Sequence, residues 1–326
     1  MQTRKLGKSK LNASIVGLGC WQLGGDFGIA GPNNTKSILE AADDVGISFW
    51  DTADVYGAGQ SESSIGQWTL TNNKARTIVT KLGRDPSLYP NQYTKSAMRS
   101  SIEVSLSRLQ VDAIDLIQLH CIPPEYLHGD AVWHYLEDFR AEGLIKHYGA
   151  SVENINEGLS CLDKPGLSAL QIIFNLFRQD AIQRLLPQAA AADVGIIVRL
   201  PLSSGLLSGK FKADTVFEEN DHRHYNKDGQ FFNVGETFSG LPYTKAVELV
   251  DELKELLPKD APLAQLALRW ILDHPQVTTV IAGASSAQQV RQNAQAASLP
   301  SFSEEQHNAL SAFYFEKVRD FVRGSI

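Results

Sequence analysis

The feature that most restricts how this chain can fold is an alternation, kept up from end to end, between short apolar runs and longer amphipathic stretches. The apolar runs fall at residues 15–17, 47–51, 77–81, 115–120, 147–151, 169–174, 195–199 and 279–281, giving eight candidate strands. Helical periodicity occupies residues 35–44, 61–71, 93–109, 131–142, 154–162, 181–192, 243–270 and 287–296, the seventh stretch broken between Pro258 and Pro262. Strands joined through helices run parallel, and a parallel sheet needs helices over its faces. Eight such units favour a closed (β/α)8 TIM barrel over an open sheet. No repeat or linker divides the chain, so residues 1–326 are taken as one domain.

Two additions flank the repeat. Residues 2–11 read as a hairpin turning at Gly7-Lys8, placed to plug the bottom of the barrel, and residues 303–322 as an extra C-terminal helix. A long irregular stretch, residues 211–240, follows the seventh candidate strand and carries Phe231, Phe232 and Phe238. Loops of that length in a compact domain are functional or disordered. This one leaves from the face where barrel sites form, so it is read as a lid.

Composition narrows the function. With 43% hydrophobic and 21% charged residues, the chain can bury a core without metals or disulfides. A net charge of −7 with no stripe of Lys and Arg argues against a nucleic-acid binder. Three cysteines, Cys20, Cys121 and Cys161, do not make a disulfide framework. The N-terminal residues lack the apolar stretch of a signal peptide, and no apolar run approaches the ~20 residues of a membrane helix. The expectation is a reduced, cytoplasmic protein without a membrane partner.

Three motif-like strings carry no weight. Gly17-Leu18-Gly19 has Gln22 where a dinucleotide fingerprint needs its third glycine. The string from Gly205 to Lys210 resembles a phosphate loop, but Ser204 and Phe211 stand where glycine and Ser/Thr are required. His222-Arg223-His224 has no cysteine or third histidine at ligand spacing, so no metal is assigned.

Chemistry gathers where apolar runs stop. Asp51 ends the second, Lys81 the third and His120 the fourth, and in a barrel these ends lie side by side at the mouth. Tyr56 follows in the loop after Asp51, between Thr52 and the turn residues Gly57 and Gly59. A buried Asp51 would hold Lys81 charged, and Lys81 beside Tyr56 would lower the phenol pKa. Tyr56 can then serve as a general acid while His120 orients a carbonyl oxygen. No side chain supplies a hydride, so a cofactor must.

These motifs resemble the aldo-keto reductase family. The run Phe49-Trp50-Asp51-Thr52-Ala53-Asp54-Val55-Tyr56-Gly57, followed by Ser61, Glu62 and Gly66, is similar to the family signature around its Asp and Tyr. Val79 to Gly83 resembles its lysine segment, and residues 115–120, with Gly143 to Lys146 and Gly149 to Ser151, its histidine region. Pro201 to Lys210 resembles the cofactor-clasping stretch, and Gly283, Ser285, Gln289 and Asn293 the adenosine-phosphate segment, most like that of potassium-channel β subunits.

The resemblance implies an oxidoreductase that reversibly reduces aldehydes or ketones to alcohols with NADP, NAD being the other option. It implies that Ser151 and Gln171 bind the carboxamide and that Cys20 and Trp21 line the pocket, with Trp21 touching substrate. It assigns Arg199, Leu200, Pro201, Leu202, Ser203, Ser204, Gly205 and Lys210 to the pyrophosphate and nicotinamide ribose. Gly283, Ser285, Gln289, Gln292 and Asn293 would hold the adenosine end, with Arg223 or Arg291 as a source of extra charge. Asp51, as a tetrad member, also borders the cofactor.

The chain departs from the family at Arg199, where many members stack Tyr or Trp on the nicotinamide, and at Val152, where Asn is frequent. A guanidinium can stack, but it would repel an oxidised, positively charged ring. Gly283 and Gln289 replace the Lys and Arg that some members use for the 2′-phosphate. Two rival readings accompany this one: a non-catalytic nicotinamide-binding partner subunit, and a Schiff-base lyase using Lys81.

Overall fold

The computed structural model describes residues 1–25 and 32–326. Strands β1 (Thr3–Leu6) and β2 (Leu11–Ser14) pair antiparallel as the hairpin. Strands β3 (Val16–Gly19), β4 (Phe49–Asp51), β5 (Thr77–Leu82), β6 (Ile114–His120), β7 (Ile145–Ser151), β8 (Leu167–Ile173), β9 (Gly195–Arg199) and β10 (Val277–Gly283) are parallel. They close into a barrel in the order β10-β3-β4-β5-β6-β7-β8-β9. All eight expected strands land on barrel strands, and the fold is the expected (β/α)8 barrel.

The connections hold α1 (Pro32–Asp44), α2 (Gln60–Thr71), α3 (Lys95–Leu109), α4 (Pro124–His128), α5 (Ala131–Ala141), α6 (Ile155–Cys161) and α7 (Leu185–Ala191). Beyond β9 come α8 (His222–Tyr225), α9 (Tyr243–Leu256) and α10 (Leu263–Leu272), then α11 (Ala287–Gln295) and α12 (Glu304–Phe313) after β10. Among the described residues, no helix is long and apolar enough to cross a membrane.

Strand geometry turns alternate side chains to opposite faces. Phe49, Val79, Leu116, Ala169, Ile197 and Ile281 form a cluster inside the barrel. Their neighbours Trp50, Ile78, Ile117, Leu170, Val198 and Val280 join the larger core between strands and helices. Continued by two residues, the interior phase reaches Asp51, Lys81, Gln118, Gln171, Arg199 and Gly283, and by four residues His120. The barrel interior is therefore apolar below and polar at the C-terminal strand ends.

The hairpin closes the opposite end. Leu6 and Ala13 enter the interior cluster, and Lys8 N–H donates to the Asp193 carbonyl at 2.8 Å. A Cβ on Gly7 would lie 2.5 Å from that same oxygen, and φ there is +48°, so glycine is required for the approach. Arg4 adds hydrogen bonds to the carbonyls of Leu272 at 2.8 Å and His274 at 3.2 Å.

Element ends differ from expectation for local reasons. The Thr94 hydroxyl accepts from Ala97 N–H and starts α3 at Lys95, later than its apolar pattern indicates. The helix expected over 181–192 splits into a 3-10 turn, Asp180–Ile182, and α7. The extension expected as one helix over 303–322 keeps α geometry only in α12, where Ser303 and Gln306 make a capping box. It continues as a π turn, Tyr314–Val318, where Tyr314 enters the core and its hydroxyl donates to Asp180. Residues 211–240 are not wholly irregular. They contain α8 and two 3-10 turns, Val234–Glu236 and Phe238–Gly240.

Candidate active site

The top polar layer of the barrel brings Asp51, Lys81 and His120 beside Tyr56 from the β4–α2 loop. Lys81 Nζ donates to the Asp51 carboxylate, to the Thr52 carbonyl at 2.7 Å and to the Tyr56 hydroxyl at 3.2 Å. Gln118 and Gln171 donate to the other Asp51 oxygen, at 3.2 and 2.8 Å. Asp51 and Lys81 are each 1% exposed, so their charges have no water to compensate them. The Tyr56 and His120 rings meet edge to face, with centroids 5.9 Å apart.

Electrostatics sharpens and corrects the expected roles. Burial disfavours the Lys81 ammonium, but Asp51 and Tyr56 outweigh it and hold Lys81 above its ordinary value. The expected lowering of the Tyr56 phenol is not the net result. Burial raises it, and the opposing pull of Lys81 is incomplete because Asp51 pushes the other way. Tyr56 is thus a protonated acid at neutral pH. Burial, then Arg84, Lys81 and Arg199, hold His120 well below its usual value, which makes it a neutral imidazole.

Trp21 stacks on Tyr56 with centroids 5.7 Å apart and planes 17° apart. His222 and Phe232 reach Trp21 from residues 211–240, at 4.9 and 6.4 Å between centroids. His222, dismissed as a metal ligand in the sequence, is thus a buried aromatic contact of the mouth. Cys20 lies beneath, fully buried, its N–H bonded to the Asp51 carbonyl at 2.8 Å.

A second charged group was not legible in the sequence. Arg84, just beyond β5, donates to Glu236 at 2.5 and 3.2 Å and reaches Glu153 at 3.4 Å. On the other side of Glu236 stands Arg199, its Nη1 3.5 Å from the carboxylate. Arg199 also donates to the Val152 carbonyl at 3.1 Å and touches Cys121 Sγ at 3.7 Å. The Cys121 thiol in turn donates to Ser151 Oγ, 3.7 Å away. Cys121, Glu153 and Glu236 could approach a metal together, but the two guanidiniums already occupy their carboxylates.

Most of the residues assigned to the cofactor by resemblance lie at or beyond the ends of β7, β8, β9 and β10, which are neighbours in the barrel. Ser151 and Gln171 are paired in register at the ends of β7 and β8. After Arg199 the backbone turns sharply through Pro201, with positive φ at Leu200, Ser203, Ser204 and Gly205. The Leu200 carbonyl accepts from Asn175 at 2.9 Å, and Gly205 N–H donates to the Leu202 carbonyl at 2.9 Å. The Ser203 hydroxyl meets that of Ser239 at 2.8 Å, and Ser204 Oγ donates to the Glu236 carbonyl at 3.2 Å. Lys210 is exposed.

Farther along, Ser285 N–H and hydroxyl both donate to Gln289 Oε1, at 2.8 and 2.9 Å, around the N-terminus of α11. Asn293 donates to the Gly283 carbonyl at 3.1 Å, and the Gln292 carbonyl accepts from Gln265 at 3.0 Å. Arg291 pairs with Asp44 on the surface at 3.0 Å. Arg223 is held by Asp221 and lies over Phe211 and Phe217.

One buried carboxyl in the tetrad loop gives a stability prediction. Asp54 is pushed up to about 7, first by burial, then by Glu62 and Asp85. Its folded value lies above the unfolded one, so it disfavours folding increasingly as pH rises from about 4 to about 7. Asp54→Asn is expected to stabilise the protein by about 2 kcal/mol at pH 8 and by only about a quarter of that at pH 4.5. Urea unfolding at the two pH values tests this, and an equal midpoint at pH 8 contradicts it.

A family model described as "Aldo/keto reductase family" matches residues 15–314. The Bacillus subtilis protein "Uncharacterized oxidoreductase YqkF" is 30% identical over 325 residues, 96% of each chain. The holo form of aldo-keto reductase AKR11C1 from Bacillus halodurans superposes with a TM-score of 0.78 at 27% identity, covering 98% of this chain and 99% of that one. Glycerol dehydrogenase AKR11B4 from Gluconobacter oxydans gives 0.79 at 26% identity, covering 100% and 97%.

Proposed function

This chain belongs to the aldo/keto reductase family, and from that premise we propose that it reversibly reduces aldehydes or ketones to alcohols with NADP(H). The observation that carries the reading is the chain from buried Asp51 and Lys81 to the half-buried Tyr56, beside a neutral His120. The alcohol chemistry also fits the Gluconobacter relative, which is named for glycerol oxidation.

The mouth fits a nicotinamide dinucleotide on its own chemistry. Arg199 Nε, His120 Nδ1 and Gln118 Oε1 are buried polar atoms with no partner among the described residues. Such groups call for a polar ligand. Ser151 and Gln171 would hold the carboxamide, Arg199 to Gly205 with Lys210 the pyrophosphate and nicotinamide ribose, and Gly283, Ser285, Gln289, Gln292 and Asn293 the adenosine end. When bound, the cofactor supplies the hydride.

The chain's own residues manage the proton. Tyr56 donates its hydroxyl proton to the carbonyl oxygen, Lys81 stabilises the phenolate left behind, and Asp51 keeps Lys81 charged. Neutral His120 donates an N–H to the same substrate oxygen and fixes its approach. Residues 211–240 act as the lid, with His222 and Phe232 closing over Trp21. A Schiff-base role for Lys81 is disfavoured, because a buried ammonium held by Asp51 is no nucleophile.

Titration of NADPH and NADH by protein fluorescence quenching is expected to show saturable binding with NADPH the tighter. Oxidation of NADPH by simple aldehydes should follow. Binding of neither nucleotide, or a borohydride-trapped adduct on Lys81, overturns the reading.

A further inference from the structure

Arg199 poses a charge problem that Glu236 answers. On the interior phase of β9, Arg199 is 8% exposed and lies at the mouth against Val152 and Cys121, whose thiol reaches Ser151. A nicotinamide ring seated by Ser151 and Gln171 would meet this guanidinium. Reduced nicotinamide is neutral, whereas the oxidised ring is a cation.

We propose that Glu236 is the counter-charge that lets this pocket accept the oxidised cofactor, and so sets its preference between NADP+ and NADPH. The inference rests on the nicotinamide reading above. Glu236 is 5% exposed and sits between the guanidiniums of Arg84 and Arg199. Arg84 and Arg199 overcome its burial and hold it at about 2, so it is a carboxylate at every working pH.

Among the described residues, Glu236 is the one carboxylate in an ion pair with Arg199. Lys81 and Asp51 cancel as a pair, and His120 is neutral. In direct contact, two guanidiniums therefore face two carboxylates, Glu236 and Glu153, while Glu157 acts on Arg199 only from farther off. Glu153 is 3.4 Å from Arg84 and also accepts from Asn233 at 2.7 Å, and no ion pair joins it to Arg199. Removing the charge of Glu236 leaves the group with a net positive charge against the ring.

Glu236 is also held in position. Asn233 Oδ1 accepts from Gly235 N–H at 2.7 Å, and the Glu236 carbonyl accepts from Ser204 at 3.2 Å. Its carboxylate is therefore present before a ligand arrives.

The test is the ratio of Kd for NADP+ to Kd for NADPH, measured by fluorescence titration on wild type and Glu236→Gln. Glutamine keeps the shape and a hydrogen-bond acceptor but not the charge. An uncompensated charge a few ångströms from the ring corresponds to roughly a tenfold rise in that ratio. A second variant, Arg199→Gln in the Glu236→Gln background, should bring the ratio back toward wild type.

A purely structural Glu236, holding residues 211–240 over the mouth, would weaken both nucleotides together and leave the ratio unchanged, which overturns the proposal. A raised ratio that Arg199→Gln fails to correct overturns it as well. If wild type itself binds neither nucleotide, the nicotinamide reading fails instead.

Discussion

Tyr56→Phe is expected to lower turnover of aldehyde reduction by about 10³-fold while leaving NADPH affinity within about twofold. A thousandfold loss corresponds to about 4 kcal/mol, within what one general acid supplies. The substitution removes only the hydroxyl, 3.2 Å from Lys81 Nζ. The phenyl ring can keep its stack on Trp21 and its edge contact with His120. Lys81 retains Asp51 and the Thr52 carbonyl, so no buried charge is stranded.

The pH dependence supplies a second reading of the same role. Because burial raises the Tyr56 phenol above its ordinary value, the acid form persists through neutral and mildly alkaline pH. Reduction by wild type should therefore show no loss from pH 7 to 9 that traces to this group. Steady-state kinetics with saturating NADPH measure both effects. Retention of more than half the wild-type rate by Tyr56→Phe removes Tyr56 as the acid.

What the sequence could and could not reveal follows from how each residue reaches the mouth. Asp51, Lys81 and His120 were legible because each ends an apolar run, and a strand's two-residue period turns them inward over Phe49, Val79 and Leu116. Gln118 carried the same signal, two residues from His120, and could have been found. Arg84, Glu153 and Glu236 carried none. They meet through the path of residues 211–240, where no periodicity relates sequence to space. The same reason hid the role of His222, whose neighbours in the chain suggested only a metal motif. The sign of the Tyr56 shift was also out of reach, because it depends on how fully burial competes with Lys81.

Lys81→Met is expected to have the largest effect on stability, a loss of about 3–5 kcal/mol, because it breaks a buried ion pair from one side. Asp51, 1% exposed, would keep only its neutral donors Gln118 and Gln171. A carboxylate so placed takes up a proton more readily. Burial already holds the Asp51 carboxyl above its ordinary value against the pull of Lys81, and without Lys81 it rises further, so the deficit of the variant grows as pH increases through that range and shrinks in acid. Urea unfolding at pH 5 and pH 8 should show the larger deficit at pH 8. The double variant Lys81→Met with Asp51→Asn removes both charges and should recover about 2 kcal/mol of the loss. Both variants lose the ammonium that stabilises the Tyr56 phenolate, so catalysis should not return with stability. A double variant no more stable than Lys81→Met would mean that the packing of the Lys81 stem, and not its charge, holds this part of the barrel together.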